Sequence, residues 1–404
     1  MQTINRLLII SILTPTILLI ACLNGFAQIP APADEPVKTG ADQLSNYIDK
    51  LKDKKVGMVV NQTSEIDGAH LVDTLLDWQV DVETIFAPEH GFRGTADAGE
   101  SVESGKDKKT GLPIVSLYGA NKKASKEDIQ GLELMVFDIQ DVGARFYTYI
   151  STLHYVMEAC AEHDVPLLVL DRPNPNGHYV DGPVLDTAFR SFVGMHPVPV
   201  VHGMTVGEYA QMINSEGWLE DQMKAELTVI KCKNYFHGRV YELPVRPSPN
   251  LPSMNSIYLY PSLCFFEGTV MSVGRGTDHP FEQWGHPAWP DSSYHFVPQP
   301  NEGASNPKYQ GQRCYGEKLY GETSAPHHSR LGRINLQWLT FAYQMTKSRV
   351  DSFFTPYFDK LAGTDKLRQQ IKNGRKPDQI RESWSDELDE FRHTRKQYLL
   401  YEVK

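Results

Sequence analysis

Residues 82–94 read VETIFAPEHGFRG. Val82 to Ala87 has the β-branched and aromatic composition of a strand, and Pro88, which has no N–H to give to a ladder, ends it. Glu89 and His90 follow side by side, and Arg93 stands just beyond Gly91 and Phe92. Turns are built from Gly, Pro, Asn, Asp and Ser. A carboxylate, an imidazole and a guanidinium at the end of a strand need another reason.

The pattern of strand and polar end recurs through the first half. Strands are expected over 56–60, 82–86, 114–117, 134–138, 167–171 and 227–232, alternating with amphipathic helices over 69–78, 148–161 and 206–215. Such alternation marks a parallel sheet with crossover helices. Thr205 and Glu208 have the spacing of a capping box at the start of the third helix. The expected class is α/β: a Rossmann-like, doubly wound, mostly parallel sheet forming a catalytic domain over 45–240, with a smaller C-terminal α+β domain over 241–404 closing the cleft. Residues 240–330 are dense in Pro, Gly, Tyr and Trp and read as ordered loops without long helices. Helices are expected again over 336–345, 365–372 and 380–398.

A chain of 404 residues exceeds one minimal core. Its 41% hydrophobic and 22% charged content is that of a globular protein, and a net charge of −10 with no basic block argues against nucleic-acid or anionic-membrane partners. Arg6 followed by an apolar run over 7–22 reads as a secretory signal. The expectation is a signal peptide over 1–28, a Pro- and Ala-rich linker over 29–44, and a periplasmic or secreted chain with no membrane span once the signal is removed. Residues 19–22 also fit a lipoprotein cleavage box, which makes Cys22 a candidate lipid anchor. Cys160, Cys232, Cys264 and Cys314 show no CxxC and no metal-ligand spacing, so no zinc cluster is expected, while one disulfide stays open.

In an open parallel sheet, ligands bind outside the carboxyl ends of the strands. Asn61 and Gln62 follow the first expected strand, Glu89, His90 and Arg93 the second, and Tyr118 the third. FDIQDVGARFYTY supplies Asp138, Gln140, Asp141, Arg145 and Tyr147. LDRPNPNG supplies Asp171 and Arg172, and His202 lies further on. No GxGxxG follows the first strand and no GxSxG occurs, which disfavours nucleotide and serine-esterase chemistry. A metal hydrolase could draw on Glu89, His90, Asp138, Asp171 or His202, although their spacing is not that of a ligand set. Carboxylates among aromatics and amides suit a sugar better, because glycoside cleavage needs one carboxyl group to protonate the leaving oxygen and a second to act as nucleophile or activate water. Glu89, partly desolvated behind a strand, suits the acid. Glu267 in CFFEGT and Glu282 in PFEQWG are candidates for the second.

VGMVVNQTSEIDG, FAPEHGFRG, FDIQDVGARFYTYISTL, LDRPNPNG, GMTVGEYA, PSPNLP, FEGTVMSVGRGTDHPFEQWG, LAGTDKLRQQI and YLLY follow in that order. Together they resemble the exo-β-N-acetylmuramidase family, the NamZ-type peptidoglycan glycosidases, from about residue 50 to 404. The resemblance implies a cleft between a Rossmann-like domain and a smaller one, no cofactor, and release of N-acetylmuramic acid from the non-reducing ends of peptidoglycan fragments. It implies Glu89 as the leading catalytic carboxylate with His90 beside it, and Glu267 is preferred to Glu282 as the second. Muramic acid carries a lactyl carboxylate, which calls for a cation able to pair with it; Arg145, Arg172 and Arg275 are the candidates, with Arg93 behind them. Asn61, Gln62, Asp138, Gln140, Asp141, Tyr147, Asp171, His202, Asn250 and Glu282 complete the expected substrate-binding set. Two other readings stay open, a non-catalytic cell-wall sugar-binding protein and a metal-dependent deacetylase or amidase.

Overall fold

A computed structural model describes residues 35–93, 104–321 and 332–403, and all the elements below belong to one unit, Val37–Lys404. The expected signal peptide, Cys22 and residues 29–34 of the expected linker lie outside the described residues. From residue 37 on, the expected linker is packed structure. Gly40 donates its N–H to the Asp171 carbonyl at 2.7 Å, Lys38 pairs with Lys233, and Ala41 is fully buried.

Seven strands form the central sheet: β1 (Lys55–Val60), β2 (Asp81–Ala87), β3 (Gly105–Lys106), β4 (Pro113–Ser116), β5 (Leu134–Asp138), β6 (Leu167–Leu170) and β7 (Leu227–Ile230). Their order is β7-β6-β5-β1-β2-β4-β3. Every neighbouring pair is parallel except β3 with β4 at the edge. Without β3 this is the doubly wound order, which reverses between β1 and β5.

Side chains alternate across the sheet. Val56, Met58, Val60, Leu134, Val136, Leu168 and Leu170 pack on one face with Leu71, Val72 and Leu75 of α1 (Leu71–Asp77). Val59, Met135, Phe137, Leu167 and Val169 pack on the other with α2 (Tyr149–Glu162) and α3 (Val206–Ser215). Burial on both faces is why these strands read as unbroken apolar runs. The capping box that opens α3 is formed as the spacing predicts, Thr205 accepting from the Glu208 N–H and Glu208 from the Thr205 N–H.

The second half departs from its reading in two places. α4 (Met254–Leu263) lies where long helices were not expected. Its residues from Asn255 to Leu263 are all buried and Pro261 falls inside it, so neither an amphipathic stripe nor a Pro-free run betrays it. A three-stranded antiparallel sheet, β8 (Gln283–His286), β9 (His295–Phe296) and β10 (Cys314–Lys318), stands in order β8-β10-β9. α5 (Leu336–Thr346), α6 (Phe358–Ala362) and α7 (Lys366–Lys372) follow. The single helix expected over 380–398 is two, α8 (Pro377–Glu382) and α9 (Ser385–Arg395), parted at Ser383 and the buried Trp384.

Beyond α9 the chain returns to the first half. Leu400 gives its N–H to Glu208 Oε1 at 2.8 Å, Tyr401 donates to Asp171 Oδ2 at 2.6 Å, and His237 N–H bonds the Glu402 carbonyl at 2.8 Å. Cys160, Cys232, Cys264 and Cys314 are buried free thiols. No helix among the described residues is long and apolar enough to cross a membrane.

Candidate active site

A cavity of about 910 Å³ opens at the carboxyl ends of β2, β4 and β5. Glu89, His90, Tyr118 and the segment Phe146–Tyr147–Thr148 line it from the sheet side. Ser248, Asn250, Tyr260, Cys264, Glu267, Arg275, Phe281, Lys308, Tyr357 and Lys360 line it from the second half. Of the residues singled out in the sequence, the structure brings Glu89, His90, Tyr118, Tyr147, Asn250, Glu267 and Arg275 to this one cavity.

Glu89 is placed by the turn that stops β2. His90 has φ +70° and Gly91 φ +77°, and the Gly91 N–H bonds the Pro88 carbonyl at 2.9 Å. A positive φ is rare for any residue with a Cβ and is seen where surrounding structure enforces it. Thr148 Oγ1 donates to Glu89 Oε2 at 2.6 Å, and the Tyr118 hydroxyl is hydrogen-bonded to the same side chain. Burial, and then the Glu89 charge, hold the Tyr118 phenol well above its ordinary range.

Glu267 sits on a 3-10 turn, Cys264–Gly268, that continues α4. α6 locks this turn: a Cβ on Gly268 would fall 2.4 Å from Phe358 Cα. Arg275 grips Glu267 with both ends of its fork, Nε to Oε1 at 2.6 Å and Nη2 to Oε2 at 3.1 Å. The guanidinium lies 5.0 Å from the centre of the Phe281 ring, and Gly274 and Gly276, at φ +79° and +78°, let the chain turn tightly on either side of it. Burial opposes the Arg275 charge, but Glu267 outweighs it and raises the guanidinium above its ordinary range. The Tyr357 phenol is raised by burial and by the nearby Cys264, Glu267 and Glu89.

The other expected residues lie outside the cavity lining, and each has its partner in the protein. Arg145 is fully buried and donates to four carbonyls, Pro183 and Val198 through Nη1, Leu361 and Ala362 through Nη2. It ties the two halves together, which corrects its assignment to a substrate carboxylate. Arg172 is likewise withdrawn from that role, since Nε and Nη2 hold both oxygens of Asp138 at 2.6 and 2.8 Å. Burial works against the Arg172 charge, and Asp138 outweighs it, raising the guanidinium. This pair joins the carboxyl ends of the neighbouring strands β5 and β6.

Asp171 caps α3 and binds the chain's end, accepting from Thr205 Oγ1, Gly207 N–H and Tyr401. Asn61 donates to Tyr149 at 2.9 Å, and Gln140 to the carbonyls of Asp141 and Pro173 at 2.7 Å. His202 is buried with Nε2 4.0 Å from Asp141. Gln62 and Tyr147 both donate to the Pro247 carbonyl, at 3.1 and 2.8 Å, which fixes the loop that carries Asn250 into the cleft. Glu282 accepts from Ser253 and Asn255 beside the start of α4, and Arg93 pairs with Asp107 at 3.0 Å. The five possible metal donors are therefore divided between cleft and interior. Among the described residues, the acidic grouping tight enough for a cation is Glu158, Glu162 and Glu220. Lys123 already bridges two of them, and none lines the cleft.

Asp141 gives a pH test of this interior. Burial pushes its carboxyl up to about 7 against the Gly143 and Val142 N–H groups, while an unfolded Asp titrates near 4. The folded chain therefore keeps a proton that the unfolded chain releases, and this contribution is full below pH ~4 and lost as pH rises to ~7. Asp141→Asn removes the titration. Wild type is expected to lose stability relative to the variant between pH 4 and 8, by roughly 4 kcal/mol. Urea unfolding at both pH values measures it, and a constant difference would refute the assignment.

Thr148, Lys308, Tyr357 and Lys360 line the cleft without having been singled out. Thr148 was visible only as a helix start, and the others stand on segments with no strand end to flag them. Lys308 gives its ammonium protons to the carbonyls of Thr269 and Met271 at 2.7 and 3.0 Å.

Two family models match the chain, exo-β-N-acetylmuramidase NamZ N-terminal over residues 56–255 and NamZ C-terminal over 258–401. The chain is 38% identical over 391 residues to the peptidoglycan β-N-acetylmuramidase NamZ of Bacillus subtilis (strain 168), covering 90% of this chain and 91% of that protein. It is similar to two crystal structures of DUF1343 family proteins from Bacteroides fragilis. One has a TM-score of 0.84 and 45% identity, covering 91% of this chain and 100% of the other. The second has a TM-score of 0.75 and 27% identity, covering 91% and 99%. Matched from β1 to Tyr401, across both walls of the cleft, this chain belongs to the exo-β-N-acetylmuramidase NamZ family.

Proposed function

We propose that the chain is an exo-acting glycoside hydrolase that releases N-acetylmuramic acid from the non-reducing ends of peptidoglycan fragments during cell-wall turnover. The observation that carries this is the convergence of Glu89 and Glu267 on one cavity in a member of this family. Their partners differ, and so do the roles they suit. Glu89 is held by neutral hydroxyls and is the group that passes a proton to the leaving oxygen. Glu267 has both oxygens on a guanidinium and faces the charge that develops on the sugar.

The cleft also suits an anion. Lys122, Arg275, Lys308 and Lys360 line it against two carboxylates, in a chain of net charge −10. Arg275 meets Glu267 through Nε and Nη2, and its remaining N–H groups can receive the lactyl carboxylate. The leader that begins with Arg6 supports action outside the cytoplasm.

The test compares a chromogenic β-N-acetylmuraminide with its β-N-acetylglucosaminide. Release from the muraminide alone, unchanged by EDTA, is the expected result. No release from either substrate or from muramic-acid-terminated fragments would overturn the proposal in favour of a sugar-binding protein, and loss of release with EDTA would favour the metal-dependent reading.

A further inference from the structure

Thr148 is the N-cap of α2, a helix of 14 residues. A threonine there ordinarily turns its hydroxyl to accept an N–H from the first turn, with an extended backbone. Thr205, at the start of α3, does this, with φ −74° and ψ 169°. Thr148 does not: it makes no side-chain cap bond, and its φ of −71° and ψ of −5° are already helical. Its hydroxyl reaches instead across 59 positions of sequence to Glu89 Oε2, at 2.6 Å. The side chain is only 8% exposed, and the bond lies at the wall of the cavity.

The hydroxyl gives its one proton to Glu89, and the first-turn N–H groups of α2 receive no side-chain acceptor from it. The donation also fixes geometry. A glutamate carboxyl turns freely about its last torsion, which is broad and roughly two-fold, and a short bond to one named oxygen stops that rotation. We infer that Thr148 is a positioning residue for the glycosidic reaction: by holding Oε2 it sets the plane of the Glu89 carboxyl group, and with it the line along which the proton meets the glycosidic oxygen. The inference rests on the catalytic reading of Glu89. A misdirected proton donor affects the transition state more than substrate binding.

The experiment uses the full-length protein with Thr148→Ala, Thr148→Ser and Glu89→Gln, assayed on the chromogenic muraminide with kcat and KM resolved and thermal unfolding recorded. Thr148→Ala is expected to lower kcat about ten- to a hundredfold, the worth of a hydrogen bond to a carboxyl group that gains charge as its proton leaves. KM should stay within about twofold and the unfolding midpoint near that of wild type, because no cap bond is lost. Thr148→Ser, which keeps the hydroxyl, should restore kcat to within a few-fold. An unchanged kcat in Thr148→Ala, a loss in Thr148→Ser as deep as in Thr148→Ala, or a fall in the unfolding midpoint of Thr148→Ala in step with its activity would each overturn the inference. An active Glu89→Gln would instead bring down the reading of Glu89 itself.

Discussion

Glu89→Gln is expected to lower kcat on a β-N-acetylmuraminide by at least about a thousandfold, the upper part of the range for a lost general acid or base. Gln has the size and shape of Glu, and its carbonyl oxygen can still accept the proton that Thr148 gives to Oε2 at 2.6 Å. The cleft should therefore keep its form and KM should move little. Only the transferable proton is gone. Steady-state kinetics on the two proteins separate the cases, since a fall in kcat at constant KM identifies a group acting in the transition state. A variant that binds as wild type and still turns over would place the chemistry elsewhere in the cleft, with Glu267 the first residue to examine.

Asp138→Ala should produce the largest loss of stability. Asp138 has no exposed surface and Arg172 only 3%, and two bonds of 2.6 and 2.8 Å join them. Removing the carboxylate leaves a buried guanidinium without its counter-charge, at a cost of about 3–5 kcal/mol. The pair itself is not worth that much, because bringing two charges out of water offsets most of their attraction. The double variant Asp138→Ala with Arg172→Met is thus expected to be more stable than Asp138→Ala alone. Urea denaturation of the four proteins in the cycle measures the coupling. Additive losses would mean that the two side chains do not depend on each other.

These two carboxylates show how far the sequence could be read. Both end an apolar parallel strand, and that much was legible, as were the six parallel strands of the core and the capping box of α3. What separates them is the partner. Glu89 has small neutral hydroxyls and a cavity in front of it, while Asp138 has Arg172 from the end of the next strand. A sequence shows that a polar side chain reaches the carboxyl edge, and it does not show whether protein or substrate meets it there. Arg145 was misjudged for the same reason, since its acceptors are backbone carbonyls, which any sequence supplies. Glu267 could be named as a candidate carboxylate and Arg275 as a candidate cation for the lactyl group, whereas their grip on each other could not, and Tyr357 and Lys360 reach the cleft from a segment distant in sequence. α4 was hidden because total burial removes the polar face that gives a helix its period.

The return of residues 400–402 to Glu208, Asp171 and His237 also has a meaning for how the protein is made. A ribosome delivers the central sheet first, and at that moment Asp171 lacks Tyr401, Glu208 lacks the Leu400 N–H, and the Gly203 carbonyl lacks Arg395. The contacts of residues 395–403 can form only after the sheet they close has been made, so they are among the last native contacts of the described fold to become possible during synthesis.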